Sequence, residues 1–243
     1  MPGRFFVDLV LAGGACVALP PGPSRHVQVL RLQPGTAVTL FDGRGGEWSA
    51  QIRAIGRSEV TVDIGEHAAV ERELSCHVTL AVGMPANERM DTVIEKATEL
   101  GVARIQPLVC ERSVLRLAGE RAERKRSHWQ GIAVAASEQS GRTALTSGTR
   151  VRPLRDWLID TSADAPDRRV LSLRDGARPF QPDAVASRLV FLSGPEGGLS
   201  DAEELLAVAS GYAPVSLGAR TLRADTAPLA ALAAIALAAP SVR

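Results

Sequence analysis

The chain has 243 residues, of which 45% are hydrophobic and 23% are charged, and its formal net charge is +1. This is the composition of an ordinary globular protein, and the charge argues neither for nor against a nucleic-acid partner. Three distant cysteines and four scattered histidines exclude a disulfide framework and a metal-ligand spacing. We therefore expect no bound metal and a reducing, cytoplasmic location.

The apolar runs of the chain are too short for a membrane protein. The longest, residues 227–239, is shorter than the roughly 20 residues that a membrane-spanning helix needs. The N-terminal residues also lack the long apolar core of a signal peptide. We expect neither a signal peptide nor a membrane span.

Residues 1–72 are predicted to form a small β-barrel. Short apolar runs alternate with turn residues, at 15–19, 37–41, 48–55 and 59–64. Asp42-Gly43 begins a strong hairpin turn between the second run and the third. Apolar residues recur at helical spacing at 26–32. The stretch 65–75 is charged and lacks an apolar pattern, so we interpret it as a linker.

From His77 onward the pattern changes to alternating strands and helices. Strands are predicted at 77–82, 102–109, 170–173, 189–192 and 213–217, and helices at 88–100, 119–140, 201–210 and from 225 or 226 onward. This alternation predicts a mostly parallel sheet with helices on both faces.

A glycine-rich stretch, LSGPEGGLS at residues 192–200, follows one of these predicted strands. Ser200 and Glu203 have the spacing of a helix capping box, so the stretch predicts a strand, a bend and a helix. Ligands of open α/β sheets bind outside the carboxyl ends of strands, where glycines leave backbone N–H groups accessible. A polar loop at 217–226 and the end of the strand at 170–173 would line the same crevice. The alternative is a plain turn.

Motifs along nearly the whole chain resemble those of one known family, in the same order. They are RFF at residues 4–6, His26 with Leu30-Arg31, EKATELGV at 95–102, ERS at 111–113, ASEQSGR at 136–142, GPEGG at 194–198 with Ser200 and Glu203, and LGARTLRADT at 217–226. The family they resemble is RsmE. Two departures are Arg89, where members often carry lysine, and the missing proline after Gly141-Arg142.

The resemblance implies a methyltransferase that uses S-adenosylmethionine to modify N3 of a uridine in 16S ribosomal RNA, within the small ribosomal subunit. It implies an α/β domain of the SPOUT class at 73–243, with a C-terminal trefoil knot, and a PUA-like β-barrel at 1–72 that holds RNA. It also implies a homodimer. A non-catalytic RNA-binding or ribosome-assembly protein of the same fold is the alternative function. A dinucleotide-dependent enzyme is disfavoured, because no G-x-G-x-x-G follows a predicted strand.

The resemblance places the cofactor among the loops after three predicted strands. The implied cofactor-binding residues are Leu171, Leu173, Leu192, Gly194, Pro195, Glu196, Gly197, Leu217, Gly218, Leu222 and Arg223. Backbone groups would make most of these contacts, and plain core packing is the alternative for Leu171, Leu217 and Leu222.

Three residues are candidates for catalysis. Arg223 would contact the target uracil or its phosphate, with a structural salt bridge as the alternative. Glu138 would orient a substrate-side arginine or act as a base, with a helix-end role as the alternative. Glu196 would face the ligand, with a solvent-exposed turn carboxylate as the alternative.

Five further side chains are candidates for RNA contacts, which would position RNA through its phosphates more than specify its sequence. A solvated surface arginine is the alternative for each arginine among them. The five are Arg4, His26, Arg31, Arg112 and Arg142.

Overall fold

The computed structural model describes residues 3–86, 88–160, 167–182 and 187–238. They form two compact units. The first contains the residues up to Glu73 together with Ser137–Leu145, and the second contains Leu74–Ala136 and the residues from Thr146 onward. No helix in the described ranges is long and apolar enough to cross a membrane.

The first unit is built on a five-stranded mixed sheet. Its elements are β1 (Gly3–Phe6), β2 (Cys16–Ala18), α1 (Pro21–Val29), β3 (Ala37–Phe41), β4 (Glu47–Ile55) and β5 (Val60–Ala68). The strand order is β1-β3-β4-β5-β2. The β1–β3 pair is parallel and the other pairs are antiparallel. Alternate residues such as Leu40, Ile52 and Val62 are buried in one core, which confirms the predicted small β domain.

Two predicted boundaries in this unit are wrong. β5 runs past residue 64 into the predicted linker, where His67 pairs with Trp48 and Ala68 with Glu47. Backbone hydrogen bonds hold a strand even where its side chains are exposed and polar, so the loss of an apolar pattern does not end it. The helix α1 begins earlier than the apolar spacing suggested and ends at Val29. Arg31 then takes a left-handed conformation, with φ of 53°, that a helix cannot continue through.

The second unit alternates strands and helices, as the sequence predicted. Its elements are β6 (His77–Gly83), α2 (Arg89–Glu99), β7 (Arg104–Val109), α3 (Gly119–Ser140, whose last four residues belong to the first unit), β8 (Ser147–Gly148), β9 (Arg152–Pro153), α4 (Leu154–Asp160), β10 (Asp167–Leu171), β11 (Arg178–Pro179), β12 (Arg188–Ser193), α5 (Asp201–Ala209), β13 (Ala213–Ser216) and α6 (Thr226–Ala238). Sequence reasoning missed α4 and the two-residue strands β8, β9 and β11, which are too short to show a period.

These strands form one parallel sheet, in the order β11-β13-β10-β12-β6-β7-β8, with β9 also paired to β7. Leu189 and Phe191 of β12 pack on the same side as α2, α3 and α6. Val190 and Leu192 pack on the opposite side with α4 and α5. Helices therefore cover both faces, which explains why β12 is a continuous apolar run rather than an alternating one. The trefoil knot stays a prediction.

Candidate functional site

A cavity of about 780 Å³ lies in the second unit, at the carboxyl ends of three neighbouring strands. β10 pairs with β12 on one side and with β13 on the other, all parallel, so the three carboxyl ends meet at one edge of the sheet. The cavity is lined by residues 171–174 after β10, by 193–199 after β12 and by 217 and 220–224 after β13, together with Arg89, Arg112, Asp201, Glu204, Val215 and Ala227. The three loops that the sequence singled out therefore do come together.

The bend after β12 is closed so tightly that it requires glycine. A Cβ on Gly194 would lie 2.7 Å from the backbone nitrogen of Leu199 and 2.8 Å from the carbonyl carbon of Gly198. Gly198 has φ of +70° and donates its N–H to the Pro195 carbonyl at 2.8 Å. The predicted capping box is confirmed, since Ser200 and Glu203 each bind the other's backbone N–H at the start of α5. Local sequence thus dictates the path of this bend.

Glu196 ties the bend to the loop after β6. Its Oε1 accepts the Ala86 N–H at 2.9 Å and lies 3.5 Å from Nη1 of Arg89. The residue also lines the cavity. A carboxylate that holds two neighbouring loops together is different from a free turn carboxylate, so Glu196 supports the cavity wall as well as facing it.

A second polar network forms the wall between the loop after β10 and α5. Ser172 donates a hydrogen bond to Glu204, and Arg174 forms ion pairs with Asp201 and with Glu204, the latter at 3.2 Å. Ser172 is 6% exposed. These four residues fix the loop that carries Leu171 and Leu173.

Five arginines line the cavity, and the structure gives three of them partners. Arg89 pairs with Glu196, Arg174 pairs with two carboxylates, and Arg112 binds backbone carbonyl oxygens. Arg220 and Arg223 are exposed and have no ion-pair partner among the described residues. The loop after β13 therefore presents two guanidinium groups that are available to an anionic ligand.

Most of the predicted cofactor residues line this cavity, and two do not. Leu192 is fully buried in the core beside α4 and α5. Gly218 is exposed, has φ of +104° and donates its N–H to Oγ of Ser216 at 3.2 Å. The predicted cofactor contacts of these two residues stay predictions. The residues that do line it are Leu171, Leu173, Gly194, Pro195, Glu196, Gly197, Leu217, Leu222 and Arg223.

Glu138, a predicted catalytic residue, belongs to the first unit and does not line the cavity. Its Oε1 accepts the Phe6 N–H at 2.9 Å, and its Oε2 lies 3.4 Å from Nδ1 of His26. Burial raises the pKa of the Glu138 carboxyl, against the Phe6 hydrogen bond and the charges of His26 and Arg4. These contacts correspond to a structural role at the end of α3, and a role in catalysis stays a prediction.

Arg4 and Arg142, two predicted RNA contacts, are enclosed in the first unit. Arg4 donates to the carbonyls of Ser137 at 3.1 Å and Arg142 at 2.7 Å, and its guanidinium lies 4.0 Å from the centre of the Phe41 ring. Arg142 is 4% exposed and forms an ion pair with Glu73. Both guanidinium groups therefore bind other groups of the protein. From the sequence, only an RNA contact or a solvated surface arginine had been considered.

The other predicted RNA contacts differ in their surroundings. Arg31 is exposed, and the His26 side chain is 46% exposed, with its ring in a T-shaped arrangement with that of Phe5 at 5.2 Å between ring centres. Arg112 belongs to the second unit and lines the cavity.

Sequence reasoning did not select Arg220, Arg89 or the Ser172–Glu204 network. Arg220 had a signal, because it stands in the same LGARTLR motif as Arg223. Residues that pair in the Ser172–Glu204 network are up to 32 positions apart in the sequence, so no local sequence pattern predicts these contacts.

Two family models match the chain. Residues 72–236 match an RNA methyltransferase domain, and residues 24–65 match an RNA methyltransferase PUA domain. Two curated relatives are named ribosomal RNA small subunit methyltransferase E. The protein from Synechocystis is 38% identical over 91% of this chain and 73% of its own length, and that from Bacillus subtilis is 30% identical over 86% and 84%.

Solved structures of similar proteins cover almost the whole chain. A putative methyltransferase from Legionella pneumophila in complex with bound S-adenosylmethionine has a TM-score of 0.92 at 31% identity, covering 98% of both chains. Ribosomal RNA small subunit methyltransferase E from Neisseria gonorrhoeae, bound to S-adenosylmethionine, has a TM-score of 0.89 at 33% identity, covering 96% of both chains. The chain therefore belongs to the RsmE family of RNA methyltransferases.

Proposed function

We propose that this protein transfers a methyl group from S-adenosylmethionine to N3 of a uridine in 16S ribosomal RNA. The observation that carries the proposal is the cavity of about 780 Å³, at which the loops after β10, β12 and β13 converge. The names of the relatives support ribosomal RNA of the small subunit as the substrate, and the two similar structures that contain S-adenosylmethionine support it as the cofactor.

The residues of the cavity fit this cofactor in size and in chemistry. The volume lies within the range of roughly 300–1,000 Å³ that small-molecule sites occupy. Leu171, Leu217 and Leu222 supply apolar surface for a nucleoside base. The bend at 194–198 brings backbone groups close to the ligand, because its glycines carry no side chain. We therefore assign cofactor binding to the residues of the three loops that line the cavity.

S-adenosylmethionine supplies a methyl group activated by its sulfonium. The protein has to place the uracil nitrogen close to that group and in line with it, which can lower the barrier by several kcal/mol. The S–CH3 bond breaks as the N3–CH3 bond forms, leaving the neutral thioether, and the weakly acidic N3 proton passes to solvent water. A neighbouring cation that stabilises the resulting uracil anion therefore also favours the reaction. Arg223 is the proposed residue for this role.

The charges at the cavity favour a polyanion as the second substrate. Arg220 and Arg223, exposed and without an ion-pair partner in the described ranges, stand on one loop. RNA phosphates are the anions that such paired guanidinium groups suit. We assign Arg223 to the uracil or its phosphate and Arg220 to the adjoining backbone.

The remaining assignments follow the family. We propose that residues 1–72 form an RNA-holding domain, in which Arg31 and His26 are the exposed candidates, and that residues 73–243 form the methyltransferase domain. We further propose that the protein acts in the cytoplasm, as a homodimer, on 16S RNA within the small ribosomal subunit.

The test is methylation of small ribosomal subunits that lack the modification, with the product nucleoside identified by mass spectrometry. We expect N3-methyluridine from the wild type, and a loss of about 100-fold or more in kcat/KM for Arg223→Ala, because one charged contact at the reacting base is removed. The control is Arg124→Ala, which removes an exposed arginine of α3 outside the cavity. Wild-type activity of folded Arg223→Ala, or methylation at another atom, would contradict the proposal.

A further inference from the structure

We propose that Arg112 is a positioning residue for the cofactor bend, and that it is not a contact to RNA phosphate. The inference rests on the proposed function, because it takes the cofactor to bind at this cavity. Nη1 of Arg112 donates hydrogen bonds to the carbonyl oxygens of Gly197 at 3.0 Å and of Leu199 at 3.1 Å. One nitrogen of one side chain thus holds two carbonyls of the bend in a fixed relation.

The contact between Arg112 and the bend is also steric. A Cβ built on Gly197 would lie 3.0 Å from Cβ of Arg112. The backbone at Gly197 therefore packs directly on the stem of the arginine, and glycine leaves the room that this approach requires. Packing and hydrogen bonding together set where residues 197–199 lie.

The loop that carries Arg112 is itself held in place. Oγ of Ser113 accepts the Cys110 N–H at 2.9 Å, and the Ser113 N–H reaches the Cys110 carbonyl at 3.1 Å. The Glu111 N–H donates to Oε1 of Glu203 at 2.8 Å. Ser113 and Glu203 are 6% and 8% exposed. An arginine that projects from a fixed loop can hold another segment to a defined position.

Glu203 connects this loop to the far side of the bend. Its Oε1 takes the Glu111 N–H, while its Oε2 accepts the Ser200 N–H at 2.9 Å. The segment from Gly197 to Ser200 is therefore tied at both ends to the same loop after β7, once through Arg112 and once through Glu203. Residues 197–199 of this segment line the cavity proposed for the cofactor, so the ties preorganise the cofactor site.

Arg112 differs from the arginines assigned to RNA in the contacts that its side chain makes within the protein. Arg220 and Arg223 have no ion-pair partner among the described residues, whereas Arg112 is bound to two carbonyls. A phosphate that drew Nη1 of Arg112 away from those carbonyls would leave two backbone acceptors of the bend without their donor. We therefore expect Arg112 to affect the cofactor and not the RNA.

The experiment compares Arg112→Ala and Arg112→Lys with the control Arg124→Ala. Calorimetry gives the Kd for S-adenosylmethionine, and steady-state kinetics separate KM for the cofactor from kcat at saturating cofactor. We expect Arg112→Ala to raise both Kd and KM by about tenfold or more and to change kcat at saturation by no more than about twofold. Arg112→Lys keeps a charged donor that can reach the carbonyls, so we expect it to restore about half of the loss on a logarithmic scale.

RNA binding without cofactor is measured over a series of salt concentrations. We expect the affinity and the salt slope of Arg112→Ala to equal those of the wild type. A phosphate contact would instead reduce the slope by about one, and with unchanged cofactor affinity that result would overturn the proposal. So would unchanged values in both assays. If Arg112→Ala does not fold, Arg112→Lys decides alone. A wild type that fails to bind the cofactor would refute the proposed function, which is a separate result.

Discussion

Replacing Gly194 by alanine tests whether the closed bend after β12 is what the cofactor requires. The added Cβ would lie 2.7 Å from the Leu199 nitrogen and 2.8 Å from the Gly198 carbonyl carbon. A Cβ essentially never lies this close to a backbone atom, so either Gly194 or the segment at 198–199 has to move. Both colliding atoms belong to the backbone of the bend, and a change of rotamer cannot relieve them.

The magnitude follows from the two ways in which the clash can be relieved. Overpacking of a well-packed site costs about 1–3 kcal/mol, and a backbone clash belongs at the upper end of that range. If the strained bend is retained, stability falls by this amount. If the bend opens, the same free energy appears as lost cofactor affinity. At about 1.4 kcal/mol per factor of ten, a cost of about 2–3 kcal/mol corresponds to roughly 30–140-fold.

The assay combines urea unfolding with calorimetric titration of S-adenosylmethionine. The matched control is Gly131→Ala in α3, where a Cβ meets nothing within 4 Å. That substitution removes a flexible residue from a helix, so we expect it to stabilise the protein by about 0.5–1 kcal/mol and to leave cofactor binding unchanged.

On steric grounds we expect the same substitution, glycine to alanine, to have opposite effects at the two positions. It stabilises the protein at Gly131, and at Gly194 it lowers either the stability or the cofactor affinity. Should Gly194→Ala match the wild type in both unfolding free energy and cofactor Kd, the tight closure of the bend would be irrelevant to the site. The assignment of the cofactor to this bend would then lose its structural support.

Two further predictions concern titratable groups. Burial raises the pKa of the Glu138 carboxyl, so the folded state holds its proton at a pH where the unfolded chain has lost it. The unfolding free energy of the wild type relative to Glu138→Gln should therefore fall as pH rises above the ordinary pKa of a glutamate, and a urea-midpoint difference that does not change with pH would contradict this. Burial also raises the pKa of the Cys110 thiol, to about 12. With Cys110 and Cys76 buried and Cys16 exposed, alkylation at pH 8 should label Cys16 quickly and the other two only on unfolding; rapid labelling of Cys110 would refute the burial argument.

The elements that sequence reasoning predicted best are those with local causes. The capping box needs only Ser200 and Glu203, three residues apart, and the structure shows both of its hydrogen bonds. The helix α3 and the strand β3 match their predicted bounds. Strand β12 was recognisable because burial on both faces makes the run continuously apolar.

The hydrogen-bond partners of charged residues could not be predicted from the sequence, because they are distant along the chain. Arg4 binds carbonyls that are 133 and 138 residues away, and Glu138 binds a backbone N–H 132 residues away. Composition and spacing show that an arginine is present, but they do not show whether a carbonyl or a carboxylate in the same unit already occupies it. That information exists only once the chain is folded.

A motif match therefore predicts that a residue is important, but it does not predict which groups that residue contacts. In the ERS motif, Arg112 holds two carbonyls of the bend and Ser113 holds the turn that carries Arg112, while the predicted contact of Arg112 to RNA stays a prediction. The LGARTLR motif differs, because neither Arg220 nor Arg223 has an ion-pair partner in the described part of the chain. Only two of the basic residues in the chain are lysines, and several of the arginines bind other groups of the protein, so net charge says little about RNA binding. The arginines whose guanidinium groups have no internal partner among the described residues are more informative. At this cavity they are Arg220 and Arg223, which belong to a single loop.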